Sequence, residues 1–597
     1  MIKQTIAVIV LCAIIVSCGM KKGVQEKSSF SRDKTLYIAG FQWGDPNSFN
    51  PLIDCPAWPI NEYFNLVYEP LMMYNALDGK MKPLLARSYS NNGNRISVKM
   101  DPRARWSDGV PLTAADVKFT YDIGMVYPSA PLSYIRNFID SVYIDSVTDS
   151  AGTYEQVNII VGKERNNPLV VLDYLQLIRI VPKHYFEKLI DSLGGFSQMQ
   201  REKIDKNPVV SGPYTLFTYS NEKIVLKRRE DYWGYAALYG NEKPKPEFII
   251  HPIYKSNDHI SIELQKGGVD ISQSFIPRVW LKKAHKVHTW YDQKPYYIPS
   301  SITMFVVNTT KSPLSDKNLR RAMAFAINYE DINQLAISSY SPSLKPGLIL
   351  PFGNEKQYYS EEDARKYGAV YDPEKAKSIL SKAGYTSIFD ENGLLLAMKD
   401  KKGNTVPTMY ITSPAGWTDW ETVVKIAVKD MRAAGIDVRE GFIDAASYFQ
   451  RRLVGDFDLL MYTPSPYATP SKPWSRIETT ITARNWKPIG EKMYENWGRF
   501  NQPGTKEYIA AVDSLLAVLP SMTDENEMKT AYRRLNVLFM QEQPTIPLFY
   551  RPEWFYEYST HHWDNFPNDA NPYTTAQCLC LGPGIEALWK ITPVIGR

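Results

Sequence analysis

Apolar and polar positions alternate at Thr35 to Ala39, Ile96 to Met100, Ile224 to Lys227 and Thr303 to Val307, which predicts β-strands there. Between these runs the apolar spacing changes to that of a helix, at Asn61 to Met73, Asn318 to Ile327, Pro373 to Lys382, Trp420 to Ala434 and Glu525 to Glu542. Gly384 and Gly435 stand just past two of these segments, where a glycine commonly ends a helix. Strands and helices mixed along the whole length predict α/β or α+β lobes rather than a sandwich or a bundle. Proline-rich or polar junctions near Asn207 to Pro213, Pro295 to Ser301 and Pro520 to Glu525 mark expected domain boundaries.

The N-terminus follows a different pattern. Lys3 precedes an unbroken apolar run from Ile6 to Val16, too short for a bilayer-spanning helix, which takes roughly twenty residues. It reads as the core of a cleaved secretory signal, residues 1–17. Ile15, Val16, Ser17, Cys18 resembles the bacterial lipobox, in which the cysteine thiol carries a thioether-linked diacylglycerol. Cys18 is then the expected lipidated first residue, and the polar, Lys- and Ser-rich stretch to Arg32 a flexible tether, residues 18–32.

At 597 residues and a formal net charge of +5, with Lys and Arg interspersed among acids, the chain gives no support to nucleic-acid binding. Outside the signal and the expected lipid site, the cysteines are Cys55, Cys578 and Cys580, and one disulfide from Cys55 to either of the other two is permitted. Cys578 and Cys580 with His561 and His562 match no C-x2-C zinc framework, so neither a metal nor another cofactor is expected. The motifs H-E-x-x-H, G-x-S-x-G, the Walker loop and a strand-linked G-x-G-x-x-G do not occur, so no enzyme is expected. A carboxylate pair acting on glycosides is the remote alternative.

Several blocks carry a family resemblance. They are Ser48 to Leu52, Val67 to Leu71, Lys82 to Ala86, Arg105 to Val117, Val181 to His184, Ser211 to Tyr214, Leu319 to Ile327 and Pro544 to Leu548. In order and spacing these resemble family 5 of the bacterial extracellular solute-binding proteins, the peptide/nickel-type receptors of ABC importers. Within the longest block Ser107 to Gly109 supplies turn residues, and Thr113 with Asp116 begins a helix. The resemblance implies a two-lobed α/β periplasmic-binding-protein type II fold with an additional inserted domain. Lobe I would comprise residues 33–76, 209–300 and 522–597, the inserted domain 77–208 and lobe II 301–521, with hinge crossings near residues 300 and 522. It also implies an extracytoplasmic monomer whose partners are a small oligomeric solute and ABC permease subunits, the lipid expected on Cys18 tethering it to the membrane.

Peptide binders of this family commonly hold the ligand's ammonium with an aspartate in a segment resembling A-D-Y-x-D-P after a strand that carries F-D. Here Phe457 and Asp458 are followed by Leu459 to Trp474 without an acid. A buried ammonium lacking an anionic partner costs several kcal/mol. Pro464, Ser465, Pro466 leading to Pro473 and Trp474, with Ala57 to Pro59 and Gly416 to Trp420, instead resembles the subgroup that binds cellobiose and related β-linked oligosaccharides. Flat rings suit the apolar C–H face of a pyranose. The expected ligand-binding residues are Trp58, Trp417, Trp474 and Trp554, then Trp43, Tyr467 and Trp420, with Asn61, Glu62 and Asn65 as inward polar groups. An oligopeptide or dipeptide receptor is the alternative within the same family.

Overall fold

Three sheets organise the computed structural model, which describes residues 30–60, 63–163, 166–464 and 468–594. The first has the order Val287–Thr289, Glu557–Ser559, Ile271–Ser272, Thr35–Ala39, Phe248–Pro252, Lys223–Arg228, Tyr214–Tyr219. Thr35–Ala39 is parallel to both neighbours, and Leu36, Ile38 and Ala39 are fully buried. Burial on both faces is what parallel pairing requires. The second sheet has the order Val438–Ile443, Met409–Pro414, Leu459–Tyr462, Pro299–Val307, Thr545–Pro552. Its first three strands are parallel and the other two run antiparallel to their neighbours. The third sheet, Ala86–Asn91, Arg95–Met100, Gly152–Val161, Ile139–Asp149, is antiparallel and lies in sequence between strands of the first.

The segment from residue 522 divides between two sheets. Helix Glu525–Glu542 and strand Thr545–Pro552 go with the second sheet: the strand pairs with Pro299–Val307, and Asn536 Oδ1 accepts from the Leu348 amide at 2.8 Å. Ile546, Leu548 and Phe549 are buried there, so the chain rejoins the first sheet only at Glu557–Ser559, later than the junction expected at 522.

Local chemistry explains most of the expected elements. Helices Pro373–Lys382 and Glu525–Glu542 have the predicted bounds, and Gly384 and Gly435 lie past the ends of Pro373–Lys382 and Thr418–Ala433 at φ 87° and 92°, the left-handed conformation that glycine adopts without strain. Helix Ala114–Val126 starts where Asp116 Oδ2 accepts the Thr113 amide at 2.8 Å, while Asp116 Oδ1 accepts the Lys183 amide at 2.8 Å. Asp116→Ala removes both acceptors. It is expected to cost about 2 kcal/mol, seen as a lower urea midpoint with an unchanged m-value.

The helix expected over Asn61 to Met73 is not there in the described part. Tyr63 has φ 77°, Phe64 forms a bridge with Leu581, and Met72–Asn75 is a strand. Phe64, Leu66, Val67, Tyr68 and Leu71 are all buried, so their helix-like spacing reflects immersion in a core from several sides. The permitted disulfide from Cys55 to Cys578 or Cys580 is not formed: Cys55 is exposed, whereas Cys578 and Cys580 are buried.

Candidate ligand-binding site

Ligand sites in α/β sheets collect beyond the carboxyl ends of parallel strands. Thr35–Ala39 leads into Gly40 to Trp43, Phe248–Pro252 into helix Asn257–Lys266, and Met409–Pro414 into Gly416 and helix Thr418–Ala433. These ends of the two sheets face each other. The rings of Trp43 and Trp417 meet with centroids 5.8 Å apart. Asn257 donates its backbone N–H to the Gly416 carbonyl at 3.3 Å and its Nδ2 to Asp419 Oδ1 at 3.1 Å. Burial pushes the Asp419 carboxyl up to about 6, with Arg551 opposing the shift. Gly416 has φ 86°, and a Cβ there would stand 2.2 Å from the Lys255 carbonyl oxygen, so the close approach of the two halves requires glycine.

The loop that carries Trp43 is fixed from below. Phe41 and Gln42 donate their amides to His251 Nε2 at 3.1 and 3.2 Å, and Gln42 Oε1 accepts the Trp58 amide at 2.9 Å. Burial holds His251 down at about 3, so the ring is neutral and its Nε2 serves as an acceptor. Trp417 is half-buried, with Trp420 at 4.8 Å, and its Nε1 is buried without a hydrogen-bond partner among the described residues.

A second junction lies at the loop after Leu459–Tyr462. The Ala468 amide donates to Glu553 Oε1 at 2.9 Å, Gln577 Nε2 to Glu553 Oε2 at 3.3 Å, and Gln176 Nε2 to the Ala468 carbonyl at 3.2 Å. Ser471 donates its amide to Asp173 Oδ1 at 3.3 Å and its hydroxyl to Asp173 Oδ2. Burial pushes Asp173 and Glu553 up to about 7, against the pull of these hydrogen bonds and of Lys472. Burial also pushes Lys472 down to about 7. Beside this junction is a chamber of about 10 Å³, lined by Tyr63, Asn65, Arg179, Glu553, Trp554 and Gln577 among others. Farther out, Lys492 pairs with Asp54, which also accepts from Tyr494 Oη at 3.2 Å.

The expected aromatic residues thus part company. Trp43, Trp417 and Trp554 are half-buried at the facing ends, with Trp554 on Phe41 at 5.7 Å. Trp420 lies behind Trp417 in the core. Trp58, 2 % exposed, packs on His251 at 4.9 Å, and Trp474, 4 % exposed, donates Nε1 to the Leu516 carbonyl at 2.9 Å with its ring against Phe138. The fold brings neither ring to the facing ends. Tyr467 lies outside the described residues, as do Cys18, Asn61 and Glu62; Asn65 lines the chamber. Sequence reasoning missed Asp173, Gln176, Glu553 and Gln577, single polar residues remote in sequence from the loop that they hold.

Two α/β lobes facing at their strand ends, joined by crossing strands and carrying a separate antiparallel sheet, define a two-lobed solute-binding protein with an inserted domain. The chain belongs to the bacterial extracellular solute-binding proteins, family 5: the model described as "Bacterial extracellular solute-binding proteins, family 5 Middle" matches residues 80–486. It is similar to a periplasmic oligopeptide-binding protein of an oligopeptide ABC transporter from Thermotoga maritima in its mannohexaose-bound crystal structure. That match has 30% identity and a TM-score of 0.83, and covers 95% of this chain and 100% of the other. A second crystal structure of the Thermotoga protein matches with a TM-score of 0.78 at 30% identity over 94% of this chain and 100% of the other. The periplasmic oligopeptide-binding protein of Escherichia coli strain K12 is 22% identical over 507 residues, 80% of this chain and 81% of the other. Among the described residues no helix is long and apolar enough to cross a membrane.

Proposed function

We propose that this protein is the receptor of an ABC importer, held outside the cytoplasm by a lipid on Cys18, and that it captures a neutral oligosaccharide of the cello- or β-linked type between its lobes. The observation that carries the sugar reading is the meeting of Trp43 and Trp417 from opposite sheets at 5.8 Å, with Trp554 on the same side of the first sheet's strand ends. Half-buried indoles at a junction of two lobes match the apolar face of a pyranose, and the polar groups around them suit its hydroxyls.

A peptide's ammonium would need an ionised carboxylate with oxygens to spare. The acids beside the 468–471 loop, Asp173 and Glu553, already accept from Ser471, Ala468 and Gln577, and burial moves both toward the neutral form. The mannohexaose in the Thermotoga relative supports the same reading. Solute captured in the open form drives the lobes together only through its better fit to the closed state, and the closed form then docks on the permease.

The second reading is an oligopeptide receptor, favoured by the name of the Escherichia coli relative. Calorimetric titration with cellobiose, laminaribiose, mannohexaose and a tripeptide separates the two. Heat is expected from at least one sugar and none from the tripeptide, and heat from the tripeptide alone overturns the sugar reading.

A further inference from the structure

Asn65, which lines the chamber beside Ala468, carries a polar atom that no described residue satisfies. Asn65 is 1 % exposed; its Nδ2 donates to the Gly582 carbonyl at 3.1 Å, but its Oδ1, also buried, has no hydrogen-bond partner among the described residues. The neighbouring polar groups are engaged. Glu553 accepts from Ala468 and Gln577, and Arg179 donates Nε to the Phe64 carbonyl and Nη1 to the Gln176 carbonyl, both at 2.7 Å. An acceptor buried without a donor is costly, and about 10 Å³ is room for one water-sized group. The rings of Trp554 and Tyr63 border the same space.

Resting on the sugar reading above, we propose that this chamber is a subsite for a single hydroxyl group of the bound oligosaccharide, which donates its hydrogen to Asn65 Oδ1 beside the Trp554 ring. The wall fits a neutral donor: Glu553 and Arg179 are already engaged, and a methyl group would leave Asn65 Oδ1 as orphaned as before. A sugar hydroxyl is small, neutral and a donor.

The test uses the smallest of cellobiose, laminaribiose and mannohexaose that gives heat with the wild-type protein, together with its set of monodeoxy analogues, each titrated into wild type and Asn65→Leu. One analogue is expected to bind wild type about 10-fold more weakly than its parent. Asn65→Leu is expected to weaken the parent by about the same factor and to bind parent and that analogue equally, as a pairwise contact requires. Asn65→Leu that binds the parent as tightly as wild type, whatever its melting temperature, assigns the chamber to a structural water and overturns the subsite while the sugar reading stands. No heat from any sugar with wild type overturns both. A crystal structure of the wild-type sugar complex gives the same decision without the variant: a sugar hydroxyl within hydrogen-bond distance of Asn65 Oδ1 is expected, and a water there with the sugar seated elsewhere overturns the proposal.

Discussion

Gly416→Val is expected to weaken solute binding by about 100-fold or more while leaving each lobe folded. A Cβ at this position would sit 2.2 Å from the Lys255 carbonyl oxygen, and that neighbour is backbone, which cannot rotate away as a flexible side chain does. The φ of 86° adds strain for any L side chain, most of all a β-branched one. The clash is relieved if the lobes part, since Gly416 belongs with the second sheet and Lys255 with the first. A bias of about 3 kcal/mol against the closed state lowers the apparent affinity by roughly that 100-fold. X-ray scattering at saturating solute is expected to give a larger radius of gyration for the variant than for wild type. Equal affinity and equal radius would remove Gly416 from the closing contact.

Arg476→Ala is expected to be among the most destabilising single changes, at roughly 3–5 kcal/mol. Arg476, 1 % exposed, donates Nη1 to Glu355 Oε2 at 2.6 Å and Nη2 to Glu355 Oε1 at 2.9 Å, and it also reaches the carbonyls of Leu348 and Ser300. Its removal leaves the Glu355 carboxylate buried without its two-pronged partner and frees two carbonyls. Because the penalty comes from the charge left behind, Arg476→Met with Glu355→Leu is expected to be less destabilised than Arg476→Ala alone. Chemical denaturation of the lobe measures both, and a double variant worse than the single one would contradict the argument.

The sequence is informative wherever a choice is made locally. Asp116 faces the amide of Thr113 and Gly384 ends a helix, each through interactions within a few residues. It misleads where burial comes from afar. Residues 63–73 have helical spacing because core surrounds them, and the turn at Tyr63 together with the bridge from Phe64 to Leu581 sets their path. The same limit governs the tryptophans: Trp58 and Trp474 sit in proline-flanked motifs, yet one packs on His251 and the other bonds to Leu516. Nothing in a local window distinguishes a ring that fills a core from one that lines a junction. Asp173 and Glu553 escape sequence reading because each meets the 468–471 loop only after three separate sheets have assembled.

The proposed capture places a neutral, ring-shaped solute against indoles where the two sheets face each other. A crystal structure of the protein with the sugar that gives calorimetric heat tests this most directly. A pyranose face in van der Waals contact with Trp43, Trp417 or Trp554 is the expected result. A ligand bound instead through an ammonium on Asp173 or Glu553, with no ring against those indoles, would contradict it.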